Sequence, residues 1–358
     1  MNLLILSRYD RRGASSRLRM MQYVPALEQA GFTVILESLF DAAYLDNLYS
    51  GRRNKEQILA AYRRRIASLR RRGDIDLIWL EKEALPWVPA GLELALFPKG
   101  VPVVADYDDA VFHRYDQHPR RLVRGLLGDK IGRVMQSAQM VLAGNTYLGD
   151  FATKAGAARV EIVPTVVDTE VYDASPRKIQ NETVTVGWIG TPESWRGCVQ
   201  PLIGSIRKPV EALGGHLLGV GIGKDDAEAS WMDVREWSET REVSDIRAMD
   251  IGIMPLPDTL WMWGKCGYKL IQYMACGLPV VASPVGVNTE IVEHGVNGFL
   301  AETDEDWRKA LETLIGDPAL RERMGKAGRK KVETWYSLQV QGPRVAQMLA
   351  EVARNGRA

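Results

Sequence analysis

Cysteine and histidine are scarce in this chain of 358 residues, which has three of the first and four of the second. Cys198, Cys266 and Cys276 cannot all pair, and no close metal-ligand spacing joins them to the histidines. Reduced thiols and no zinc framework are therefore expected. Long apolar runs are missing as well. Stretches such as LPVVASPVGV fall short of the roughly 18–20 residues that cross a bilayer. The opening MNLLILSRYD lacks the basic and extended apolar regions of a secretory signal. A cytoplasmic protein without a membrane span is the expectation, with a peripheral place on the inner face of a membrane as an addition. No repeat period or low-complexity tract is present. A strong charge of either sign is lacking too, since the net charge is +1.

What remains is the composition of a globular protein, 46% hydrophobic and 25% charged. The length fits two domains of roughly 150 to 180 residues each. Short apolar strands alternate with amphipathic helices: NLLILS, a helix from about Ser16 to Gly31, FTVILES, a basic helix around 54–72, DIDLIWL, VPVVADY, a helix through Leu122–Ala138, and QMVLAGN. The polar stretch VYDASPRKIQNET reads as a linker. After it come VTVGWIG, HLLGVGI, a short helix at Ser244–Met249, DIGIMPL, LPVVASP and GFLAE. Continuous apolar strands in β/α alternation mark parallel sheets covered on both faces. The expected domains are 1–172 and 183–337, with a C-terminal helix at about 338–358 packing back on the first.

In such sheets ligands sit beyond the carboxyl ends of the strands. After the first strand, Gly13 to Ser16 form a small-residue turn that opens a helix, where backbone N–H groups can approach an anion; a plain loop with a serine cap is the alternative. In the second half, GKCGYKLIQYMACG carries a tight turn before a helix that starts near Tyr268. Gly267 would permit close approach of a phosphate, Lys265 and Lys269 add positive charge, and Gln272 lies a turn further on, within reach of a ribose hydroxyl. The cysteines there read as small packing residues.

KLIQYMACGLPVVASPVGVNTEIVEHGVNGFLA and LETLIGDPALRERMGKAGRKKVETWYSL resemble the retaining glycosyltransferases of family 4. That resemblance implies the GT-B architecture, an α/β fold of two facing Rossmann-like domains with a cleft between them. In the family two glutamates bracket the turn, one on the donor sugar and one on the ribose. Matching QYMACG to EAMACG puts Gln272 at the second and Gly264 at the first. Gly264 has no side chain for a sugar hydroxyl, so donor recognition is expected to differ or to be supplied by a neighbour such as Asp258 or Lys265. The family also neutralises the leaving diphosphate with an Arg and a Lys after the first strand of the second domain. Here GWIGTPESWRGCVQP supplies Arg196 but no lysine, and Lys265 or Lys269 takes that place in the expected clamp.

On the first domain, VVADYDDAVFHRYD presents Asp106, Asp108, Asp109, His113 and Asp116 together. Asp106 and Asp108 have the spacing of a divalent-cation pair in the other large glycosyltransferase architecture. The second half of the chain points instead to a metal-independent transferase, and this loop reads as one that binds the acceptor or orients the anomeric centre, with Asp109 and His113 reaching the cleft; a helix N-cap by Asp108 or Asp109 with a surface His is the alternative. Glu81, Lys82 and Glu83 form a lesser candidate loop. Residues 1–170 carry 24 Lys+Arg against 20 Asp+Glu, and the remainder 22 against 25. The arginines cluster near 63–72 and 120–133, as suits anionic lipid headgroups or a solvated helix face; without an aromatic platform, nucleic acid is not expected.

The reading is a retaining transferase that moves a sugar from a nucleotide-diphosphate sugar to a glycan or lipid-linked acceptor. The nucleotide sugar is the donor substrate, and neither a cofactor nor a metal is expected. A non-catalytic nucleotide-sugar-binding protein and a GT-B-shaped sugar-nucleotide epimerase are the alternatives.

Overall fold

A computed structural model describes residues 1–49, 51, 52, 54–70, 75–174, 183–223 and 231–356. Two compact units emerge: Met1–Thr165 with Gly264–Cys266 and Gln341–Ala358, and Val166–Trp263 with Gly267–Val340.

The first unit is built on a six-stranded parallel sheet. Its strands are β1 (Asn2–Tyr9), β2 (Thr33–Phe40), β3 (Leu77–Glu81), β4 (Val103–Tyr107), β5 (Met140–Ala143) and β6 (Val160–Ile162), in the order β2-β1-β3-β4-β5-β6. Side chains alternate between faces. Leu4, Leu6, Ile78 and Leu80 share one apolar cluster, while Ala105, Tyr107, Val141 and Ala143 belong to another. The helix expected from Ser16 is broken into Ala14–Arg19, a 3₁₀ turn and Val24–Gln29, because Pro25 offers no N–H to continue the ladder. The one expected through Leu122–Ala138 is likewise two helices, Arg121–Leu127 and Lys130–Ser137. The basic helix runs Lys55–Leu69, capped by Asn54, whose side chain accepts from the Gln57 N–H; residues 71 and 72 of the expected span lie outside the described residues. From Gln341 onward the last helix, Leu338–Asn355, belongs to this unit, where Arg344 donates to the Ile162 carbonyl at 2.9 Å.

The second unit repeats the plan. Its strands are β7 (Thr185–Ile189), β8 (His216–Val220), β9 (Met232–Arg235), β10 (Ile251–Met254), β11 (Val280–Ala282) and β12 (Gly298–Leu300), parallel in the order β12-β11-β10-β7-β8-β9. Two apolar clusters cover its faces, one around Tyr273 and Met274, the other around Trp188, Trp195 and Trp307. The short helix expected at Ser244–Met249 is Glu242–Arg247. Most of the expected linker, 175–182, lies outside the described residues. Strands β6 and β9 have no counterpart in the sequence reading. Both are edge strands of three or four residues, half exposed and without an apolar run.

Candidate functional site

Each sheet has a point where the strand order reverses, between β1 and β3 in the first unit and between β7 and β10 in the second. Loops leaving the carboxyl ends at such points are where open α/β sheets bind ligands.

In the first unit those loops bring together Ser15, Lys82, Asp108 and Asp109, joined by the short segment 264–266. Lys82 Nζ lies 2.7 Å from Asp108 and 3.8 Å from Asp109, and donates to Ser15 Oγ at 2.9 Å. Ser15 donates to the other Asp108 oxygen at 2.5 Å. Lys265 donates to Asp109 at 2.7 Å, while its own carbonyl accepts from the Asn145 side chain. Lys82 is held at φ 62, outside the comfortable range of a residue with a side chain. Burial pushes Asp108 up, but the Lys82 and Arg19 charges and the bonds from Lys82 and Ser15 outweigh it and hold the carboxyl at about 2. Beneath this cluster, Glu81 accepts from the Arg8 N–H and from Ser16 at 2.7 and 2.6 Å.

Several predicted site residues acquire definite partners here. Lys265, expected beside the donor phosphate, packs with the first unit and pairs with Asp109. His113 has both ring nitrogens engaged, Nδ1 on Asp116 at 3.0 Å and Nε2 on Tyr147 at 2.7 Å. Gly13 is required by packing, since a Cβ there would meet Tyr9 Cβ at 2.4 Å. Asp106 is spent on a buried two-pronged bond from Arg19, at 2.8 and 3.1 Å; burial nevertheless lifts its carboxyl to about 6. Among the described residues, no group of three or more His, Cys, Asp or Glu side chains is placed to hold a metal ion. Cys266 is buried, donates to the Asp108 carbonyl at 3.2 Å, and has its thiol pushed up by burial. It acts as a packing residue.

Gly264 explains its own departure from the family pattern. A Cβ there would sit 2.5 Å from both the Cβ and the backbone nitrogen of Ala110. No side chain fits.

In the second unit the loop after β7 turns at Gly190, where a Cβ would meet the Trp188 ring at 2.5 Å and the Lys269 stem at 3.0 Å. Lys269 Nζ lies 5.4 Å over the Trp188 ring. Lys269 and the loop that carries Arg196 are thus brought together, and Arg196 is exposed on an irregular helical turn, Trp195–Val199. Gly267 caps the helix Tyr268–Ala275 at φ 64, with Ile291 where a side chain would go. Asp258 accepts from the Trp263 indole at 2.6 Å and lines a cavity of about 290 Å³ together with Gly197, Cys198, Ser283 and Glu302.

Gln272 is buried rather than presented on the helix surface. Its amide donates to the Tyr172 hydroxyl at 2.8 Å, Tyr172 donates to Glu242, and Glu242 accepts from the Trp237 indole at 2.7 Å. Tyr268 stands 3.4 Å from the Tyr172 hydroxyl. Tyr172 and Glu242 are absent from the sequence reading, because no local motif marks a relay assembled from three separated segments.

Residues 250–331 match the glycosyl transferases group 1 family. This group 1 segment runs from β10 through the helix Tyr268–Ala275 and includes Asp258, Lys265, Gly267, Tyr268, Lys269 and Gln272. Spore coat protein SA of Bacillus subtilis is 33% identical over 89 residues, 24% of this chain and 22% of that protein. The D-inositol 3-phosphate glycosyltransferase of Kribbella flavida is 29% identical over 237 residues, 56% of this chain and 54% of that protein. A D-inositol 3-phosphate glycosyltransferase of Pseudarthrobacter chlorophenolicus is 37% identical over 83 residues, 23% of this chain and 19% of that protein. Against the first and third of these, the chain spans about a fifth of the relative's length. Among solved structures, Anabaena Alr3699/HepE in complex with UDP has a TM-score of 0.71 at 16% identity, with 98% of this chain and 100% of that one covered. WaaG, a glycosyltransferase involved in lipopolysaccharide biosynthesis, has a TM-score of 0.67 at 14% identity, with 98% and 99% covered. The fold is that of the GT-B glycosyltransferases, with two Rossmann-like domains.

Proposed function

We propose that the protein is a retaining, metal-independent glycosyltransferase that moves a sugar from a nucleoside-diphosphate sugar to a glycan or lipid-linked acceptor. The observation that carries this reading is the β7/β10 switch, where the Gly190 turn, the Lys269 stem and the loop of Arg196 converge beside the group 1 segment. Lys269, placed over the Trp188 ring, and Arg196, exposed on its turn, supply two cations for the charge that builds on a diphosphate as the sugar leaves. HepE was solved with UDP and with UDP-glucose, which makes UDP-glucose the first donor to test. The acceptor side is assigned to the first unit, where Asp109 and its neighbours offer hydrogen-bonding groups at the β1/β3 switch.

An anionic membrane is the proposed setting. No helix among the described residues is long and apolar enough to cross one. However, Leu122 and Leu126, a helical turn apart, are 80% and 60% exposed beside Arg120 and Arg121. Apolar tips among arginines suit insertion into a headgroup layer. One of the expected arginines is not available to it: Arg65 is buried, donating to the Ser7 carbonyl; Lys130, in the second cluster, is likewise buried between Glu83 and Glu93.

Turnover of UDP-glucose by the purified protein, including slow transfer to water, is the direct test. Arg196→Ala and Lys269→Ala should each lower it about 100-fold with the fold intact, and EDTA should leave the parent rate unchanged. Binding without turnover would reduce the protein to a nucleotide-sugar binder. Loss in EDTA with rescue by manganese would overturn metal independence.

A further inference from the structure

Beside the β1/β3 switch lies a second cavity of about 310 Å³, within the first unit. Its walls come from the carboxyl ends of β1 and β2, the helices Ala42–Tyr49 and Lys55–Leu69, and the loop after β3. Arg8, Tyr44, Asn47, Arg52, Tyr62 and Trp87 carry its chemistry. Two guanidinium groups and no carboxylate are among the described residues that line it.

Arg8 is nearly buried, and its carboxylate neighbour Glu83 is 3.4 Å away. Glu83 is more closely committed elsewhere, to Lys130 at 2.6 Å and to the Tyr115 hydroxyl at 2.8 and 2.9 Å. Tyr9, whose ring lies 5.7 Å from the Arg8 guanidinium, joins Glu83 and Glu81 in holding the charge against burial, so Arg8 lines the cavity as a cation.

Trp87 supplies the second observation. Its backbone is held at φ 64, a strained conformation for a bulky residue, yet the residue is 49% exposed. The strain is maintained by neighbours: the Trp87 N–H donates to the Tyr115 hydroxyl at 3.1 Å, the rings meet edge-on at 5.2 Å, and Tyr62 donates to the Pro86 carbonyl at 2.6 Å. A large ring fixed in position and left half open is a stacking platform, and sugars offer C–H faces to such rings.

We propose that this cavity binds a sugar phosphate, with the ring against Trp87 and the phosphate between Arg8 and Arg52. Phosphate carries about two negative charges near neutral pH, enough to engage two guanidiniums. The inference rests on the transferase reading and narrows its acceptor to a phosphorylated sugar.

The test titrates glucose 1-phosphate, inorganic phosphate, glucuronate and methyl glucoside into the full chain, following tryptophan fluorescence and heat. Glucose 1-phosphate should saturate, and more tightly than the other three. Trp87→Gly keeps the positive φ and removes the platform, while Arg52→Ala alters an exposed position. Each should weaken glucose 1-phosphate about 10-fold, the scale of one charge-assisted hydrogen bond for Arg52 and of a stacked ring for Trp87, and leave UDP binding as in the parent. Equal binding of methyl glucoside, of glucuronate or of inorganic phosphate overturns the proposal, as does parent-like binding by both variants or no saturation by glucose 1-phosphate. UDP-glucose turnover, measured in parallel, keeps the two readings apart: its loss sinks the transferase, while the cavity stands or falls on the titration.

Discussion

At the scale of single residues, Asp108 and Gln272 have side chains whose chemistry is set by their immediate partners. The folded value of Asp108 is lowered from 3.8 to about 2. A depressed carboxyl contributes stability that is present above the unfolded value and lost as the pH falls through the folded one. Asp108→Asn should therefore destabilise the protein near neutral pH, and its deficit against the parent should shrink by about 2 kcal/mol between pH 5 and pH 2. Comparing the two proteins in urea at each pH isolates this from Asp106, whose raised value, about 6, works in the opposite direction. A deficit that does not change with pH would show that Lys82 does not hold the Asp108 proton off. For Gln272 the donor is what matters. Its amide donates to Tyr172, whose own proton is committed to Glu242. A carboxylate at 272 would face an oxygen with no hydrogen left to give. Gln272→Glu should cost about 1 to 3 kcal/mol in denaturant unfolding, at least as much as Gln272→Ala; a neutral Glu variant would mean that the relay does not run in this direction.

At the scale of elements, the segment 264–266 shows how tightly a turn can be specified. Gly264 lies against the Ala110 backbone, and Cys266 fills the space left by Gly144, where a Cβ would come within 2.3 Å of the sulfur. Gly264→Ala should destabilise by about 1 to 3 kcal/mol through overpacking, read from the midpoint of a denaturant titration; an unchanged midpoint would mean that Ala110 can give way. This turn also separates what was legible in the sequence from what was not. The alternation of apolar strands and amphipathic helices follows from local periodicity, so most of both sheets could be read. The helix beginning at Tyr268 and the glycine before it were readable for the same reason, since a cap and an apolar stripe are local signals. Pairing is not local. Lys265 meets Asp109 across 156 positions of chain, and Gln272 meets Tyr172 across 100, and neither partner carries a mark that identifies the other. Breaks such as the one at Pro25 were missed for a different reason: the hydrophobic period continues across the break while the backbone hydrogen bonds do not.

At the scale of the whole molecule, charge and exposed apolar area make a prediction that no single residue does. If the helix Arg121–Leu127 rests on lipid, the protein should sediment with vesicles containing anionic lipid at low salt and release at high salt, because surface charges are screened over about 10 Å at 0.1 M. Leu122→Ser with Leu126→Ser should reduce the bound fraction without changing the melting temperature. Equal partition onto neutral vesicles would remove the arginines from the account. The division of the chain bears on how the protein comes into being on the ribosome. Its first unit is assembled from three pieces, and the last of them, from Gln341 onward, is synthesised after the whole of the second unit. Nascent domains usually fold in order from the N-terminus as they emerge. Here the Arg344 bond to β6 cannot form until all of the second unit has been synthesised, so the unit begun first is completed after the second.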